Sequence, residues 1–169
     1  MVNSEVGIKY KTLMMLIVIN YILQSTVLQS LKIAGVSANF TLILVIVVTI
    51  VYGIEKGLFA AVVSGLFVDV FLSMAVGLNL FILVIITVLI SIIGRPLFTG
   101  NKLTLVFMTA ISTVIYHLMY FFFMYFLNKG VSISEVMTQI VPIEIVYNSI
   151  VCVMAYQVSM RWIERYKLD

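Results

Sequence analysis

Five polar side chains stand inside apolar runs of this sequence: Gln24, Asp69, His117, Glu144 and Asn148. The aspartate is the most isolated, because GLFVDVF lies in a stretch with no other charge from Gly57 to Ile93. An ionisable group in an apolar medium costs roughly 2.5–3.5 kcal/mol or more unless it is paired or hydrated. Three kinds of chemistry would account for it. Asp69 can be a structural lock, hydrogen-bonded to His117, Gln24 or backbone donors. The layer can line a polar cavity for a small ligand or ion. It can also relay protons or hold a metal, although one His, one Asp and one Glu on separate segments show no metal-ligand pattern.

The elements that must position these groups follow from composition. Of the 169 residues, 63% are hydrophobic and only 10% charged, and the mean hydropathy is +1.22. Soluble domains are about half apolar and a quarter charged, so the chain reads as an all-α integral membrane protein. Apolar runs bounded by charges or turn residues predict six spans, at 12–31, 36–54, 57–74, 78–98, 103–127 and 140–161. Together they form one transmembrane domain over residues 1–169, a compact bundle with no soluble domain. The first run is too long for a signal peptide and lacks a small-residue cleavage site. Arg161, Arg165 and Lys167 are expected to stop the last span. The loop NKGVSISEVMTQ, with Ser134 and Glu135, is expected to lie at the interface.

Basic residues test the span count. Lys9, Lys11, Lys56, Arg95, Lys102, Arg161, Arg165 and Lys167 fall on one side and only Lys32 and Lys129 on the other. Positive charge collects on the cytoplasmic side, so both termini are expected there. A five-span chain would put the C-terminal basic cluster outside. In this setting the net charge of +3 reports topology, and no nucleic-acid partner is expected. Arg95 and Lys102 mark a cytoplasmic basic loop facing anionic headgroups. The lone Cys152 has no disulfide partner in the chain.

Small residues orient the aspartate. Gly53, Gly57, Ala61, Gly65, Asp69, Ser73 and Gly77 recur every fourth residue, and residues four apart share one helical face. Such a ridge lets two helices approach closely where packing replaces the hydrophobic effect. Asp69 therefore faces a neighbouring helix. At about 1.5 Å per residue, Asp69 and Gln24 lie roughly 18 Å from the cytoplasmic side and His117 roughly 21 Å. Glu144 and Asn148 are four apart near the outer end of the sixth span, which brings all five into one outer layer.

No phosphate-binding glycine loop, nucleophile elbow, zinc helix or cysteine cluster occurs in the sequence, and the expectation is a non-enzymatic protein without a metal or cofactor. The run GLFAAVVSGLFVDVFLSMAVGLNLFILVIITVLISIIGRPLF resembles the core of the rod shape-determining protein MreD family. The likeness lies in G-x-x-x-D (Gly65, Asp69), in Gly77 and Asn79 opening the next span, and in the basic loop from Arg95 to Lys102. It implies a multi-pass scaffold of the bacterial inner membrane that serves the cell-elongation complex, peptidoglycan synthesis and cell shape. Implied partners are an MreC-like bitopic protein, RodA- and PBP2-type synthases, the MreB filament and the lipid bilayer. The family is also thought to share its fold with the substrate-binding subunits of energy-coupling-factor transporters. That relation supplies the alternative, a membrane subunit that binds a vitamin-type small molecule in the layer around Asp69.

Overall fold

Asparagine ahead of an apolar run is a helix-start signal, and FTLILVIVVTIVY, although rich in β-branched residues, follows it as a helix. In a computed structural model that describes residues 8–30, 32, 35–71, 77–97, 101–126 and 136–166, the chain is all-helical. Among the described residues there are six helices: α1 (Tyr10–Ser30), α2 (Phe40–Tyr52), α3 (Ile54–Phe71), α4 (Leu78–Leu89), α5 (Lys102–Phe126) and α6 (Val141–Tyr166). α4 runs on through a π-helical turn, Ile90–Gly94, into Arg95–Leu97, and a second π-helical turn, Val136–Ile140, leads into α6.

α2 is the central helix. It touches each of the other five, and all its residues except Phe40, Leu44 and Tyr52 are buried. Buried on nearly every side, its backbone groups must find partners within the chain, and a helix supplies them. Leu42, Ile46 and Ile50 meet Ala60 and Ala61 of α3, Ile82, Leu83 and Ile86 of α4 and Leu105 of α5 in one apolar core. α1 rests on α2 and α3, and α6 on α5 and α2.

The four-residue ridge is real only over part of its expected length. Gly57, Ala61, Gly65 and Asp69 form a buried face of α3. A Cβ on Gly57 would collide with the side chains of Thr49 and Thr87, and one on Gly65 with the Leu80 backbone, its nitrogen only 2.9 Å away. These two glycines let α3 lie against α2 and α4. Gly53 and Gly77 correct the expectation, since neither lies on a helical face. Both have φ of +91°, a region that favours glycine. Gly53 turns the chain from α2 into α3, and Gly77 turns it into α4. Ser73, Lys129, Ser134, Glu135 and Lys167 lie outside the described residues.

Other boundaries also shift. The expected span 36–54 shortens to the 13 residues of α2, about 20 Å of helix, because Asn39 caps it. α3 starts at Ile54, directly after the Gly53 turn. α6 continues through Arg161 and Arg165 to Tyr166, because basic residues near a helix C-terminus suit its dipole and do not end the helix. α5 and the helix over Val136–Arg165 are long and apolar enough to cross a membrane, whereas Phe40–Tyr52 and Leu78–Gly94 are shorter apolar helices.

Candidate functional site

The first four N–H groups of any helix have no partner within it. In this bundle α2 and α4 both start at the same end, inside the protein, and side chains from other helices meet that need. Asp69 of α3 serves α4. Its Oδ1 accepts from the backbone N–H of Asn79 at 3.0 Å and from Asn79 Nδ2 at 2.8 Å, and its Oδ2 accepts from the Leu80 N–H at 3.0 Å. Gly77 occupies the cap position and has no side chain to offer, so the carboxylate arrives from the neighbouring helix. A negative charge there is also favoured by the helix dipole. Asp69 is 1% exposed, and each of its oxygens has a donor.

α2 is capped by three residues. The Asn39 side chain accepts from the Leu42 N–H at 3.0 Å. Gln24 of α1 accepts from the Thr41 N–H at 2.8 Å and from the Thr41 hydroxyl at 2.7 Å. Asn148 of α6 accepts from the Asn39 N–H at 2.8 Å. Through its Nδ2, Asn148 also donates to Thr113 at 3.0 Å and to Glu144 at 3.2 Å. Glu144 in turn lies 2.7 Å from His117 Nε2, a paired arrangement of two groups that would be costly alone.

Tyr116 joins the two ends. Its hydroxyl donates to Asn79 Oδ1, and its ring stands edge-on to that of His117, centroids 5.6 Å apart. The result is one polar layer running from Gln24 through the start of α2 to Asn148, Glu144 and His117, and through Tyr116 to Asn79 and Asp69.

The layer brings together the five residues singled out in the sequence, and of the three kinds of partner expected for Asp69 it holds the backbone donors. Among the described residues, neither His117 nor Gln24 hydrogen-bonds Asp69. Backbone donors and the Asn79 amide hold it, because α4 starts directly opposite. His117 goes to Glu144, and Gln24 to Thr41. Sequence reasoning missed Asn39, Thr41, Thr113 and Tyr116 as members of the layer. Asn39 was legible as an N-cap before an apolar run. Tyr116 was hidden in an aromatic run with nothing to separate it from membrane-interface tyrosines. Of the expected basic loop, Arg95 opens the last helical turn after α4, and Lys102 opens α5 with its side chain exposed.

Beside the layer is a cavity of about 330 Å³, lined by Val68, Asn79, Tyr116, His117, Tyr120, Phe121, Met124, Val136 and Ile140. Tyr116 and Tyr120 stack with ring centroids 6.2 Å apart. A space of this size suits a small organic molecule. No group of three or more His, Cys, Asp or Glu residues that could hold a metal occurs among the described residues. Comparison with known proteins gives no match for the chain among family models, curated proteins or solved structures.

Proposed function

We propose that this chain is a non-enzymatic scaffold of the bacterial cell-elongation complex, a six-span bundle in the cytoplasmic membrane with both termini in the cytoplasm. Its partners are an MreC-like bitopic protein, with RodA- and PBP2-type synthases and the MreB filament as further members. The observation that carries this reading is the joint task of Gly65 and Asp69, the two residues of the family-like G-x-x-x-D. Gly65 admits the Leu80 backbone, and Asp69 hydrogen-bonds the Leu80 N–H. Both residues work on one spot, the start of α4, which supports an architectural role for the motif.

The membrane setting is supported by the outer surface. Val146, Ile150, Met154, Val158 and Trp162 form a stripe on α6, each more than half exposed. A contiguous apolar surface of this kind is rare on soluble monomers. The start of α2 would then lie within the bilayer, where non-helical backbone is tolerated only when buried in protein. The caps on Asn39, Thr41 and Leu42 meet that condition. Depletion of the protein tests the proposal: rod-shaped cells are expected to become round. Normal shape after clean deletion, in a cell without a paralogue, would overturn it.

A second reading is favoured by the cavity of about 330 Å³ beside Asn79, Tyr116 and His117. In it, the chain is a membrane subunit that binds a small molecule for transport, in a bundle similar to the substrate-binding subunits of energy-coupling-factor transporters.

A further inference from the structure

The chemistry of the cavity walls narrows what could occupy it. Three aromatic rings, those of Tyr116, Tyr120 and Phe121, contribute to the lining, along with apolar Val68, Met124, Val136 and Ile140. No Lys or Arg is among its described lining residues. Two buried carboxylates stand one residue behind the wall. Asp69 is bonded to Asn79, and Glu144 to His117, and both Asn79 and His117 line the cavity. Tyr116 itself donates to Asn79 Oδ1, next to the Asp69 carboxylate.

An anion entering this space would face the carboxylates of Asp69 and Glu144 behind the wall, with no Lys or Arg among the described lining residues. A bare metal ion would need several oxygen ligands, and the carboxylate oxygens are engaged by their own donors. An uncharged apolar molecule would fit the rings but gain nothing from the carboxylates. An organic ammonium group is served by both features, since aromatic faces attract cations through the ring quadrupole and the nearby carboxylates lower the cost of bringing a positive charge inside.

We propose that the cavity beside Asn79, Tyr116 and Tyr120 binds a small organic cation, an alkyl- or arylalkylammonium compound, with its charge against the aromatic rings. This rests on the second reading above, that the cavity takes a ligand, and it names the class of that ligand. The polar layer would then have two tasks, holding the starts of α2 and α4 and setting a negative potential behind the aromatic wall.

The full chain in lipid nanodiscs tests this, with empty nanodiscs as the blank for partitioning. Three probes of one shape are titrated and followed by ligand-observed NMR: benzyltrimethylammonium, its uncharged carbon isostere neopentylbenzene, and the anion phenylmethanesulfonate. The expected result is saturable binding of the cation, about tenfold or more tighter than either of the others. Tyr120→Leu is expected to weaken the cation about tenfold and Tyr120→Phe only slightly, because phenylalanine keeps the ring face. If the neutral or anionic probe binds as tightly as the cation, the ligand class is wrong and the cavity reading stands. If none of the three binds saturably, both are overturned.

Discussion

Asp69 carries three hydrogen bonds through two oxygens, and the division between them sets what each substitution should do. Oδ1 serves Asn79 twice and Oδ2 serves the Leu80 N–H. Asp69→Asn keeps one acceptor oxygen and sets an NH₂ group against the Leu80 N–H, losing one bond and the charge. Asp69→Leu strips all three donors of their acceptor, and a buried polar group without a partner costs about 1–3 kcal/mol. The expected losses are about 1 kcal/mol for Asn and about 3 kcal/mol or more for Leu, measured by denaturant unfolding in mixed micelles. Equal losses would mean that charge, and not acceptor geometry, is what α4 requires. The pair His117 and Glu144 behaves differently from a surface ion pair. His117→Phe removes one of the two described donors of Glu144 and is expected to cost about 3 kcal/mol; the double variant with Glu144→Leu is expected to be more stable than the single one in the same assay. Asp69 was conspicuous in the sequence because a lone charge in an apolar run has to be explained. Its partner was not, because a backbone N–H carries no signature in side-chain types.

At the scale of helices, the bundle depends on two kinds of glycine that look alike in the sequence. Gly57 and Gly65 are needed for space, whereas Gly53 and Gly77 are needed for a left-handed backbone. Gly65→Ala puts a methyl group against the Leu80 backbone, which cannot move without shifting the start of α4. Gly77→Ala meets nothing within 4 Å and pays only for its positive φ, about 1–2 kcal/mol. Gly65→Ala is therefore expected to be the more damaging of the two in the unfolding assay; the reverse order would mean that α3 and α4 are not as closely packed as described. The four-residue period made all of these positions look like one ridge. Period alone cannot separate a helical face from a turn that happens to fall in step with it. The six helices themselves were legible, since each is an apolar run with a boundary. The shortness of α2 was less so, because its start depends on Gln24 and Asn148, residues distant in the chain that reach the same helix end.

For the molecule as a whole, the eight-to-two division of basic residues predicts both ends on the cytoplasmic side. Cysteines introduced near each terminus should resist a membrane-impermeant thiol reagent in intact cells, and one at Lys32 should react. Cys152 is fully buried and should contribute little background. Labelling of the C-terminal position from outside would require an odd number of spans and would remove the basis for one bundle of six. The scaffold proposal makes a more demanding statement, that the apolar surface of this bundle is covered in the cell by specific partners as well as lipid. The most direct measurement is purification of the full chain from native membranes extracted with their lipids, followed by identification of what accompanies it in stoichiometric amounts. The prediction is a bitopic membrane protein with a periplasmic coiled coil, retained by the unaltered chain and by Asp69→Asn and lost from Asp69→Leu. Recovery with a pair of ATPase subunits and a coupling membrane protein instead would contradict the scaffold and establish the transport reading in its place.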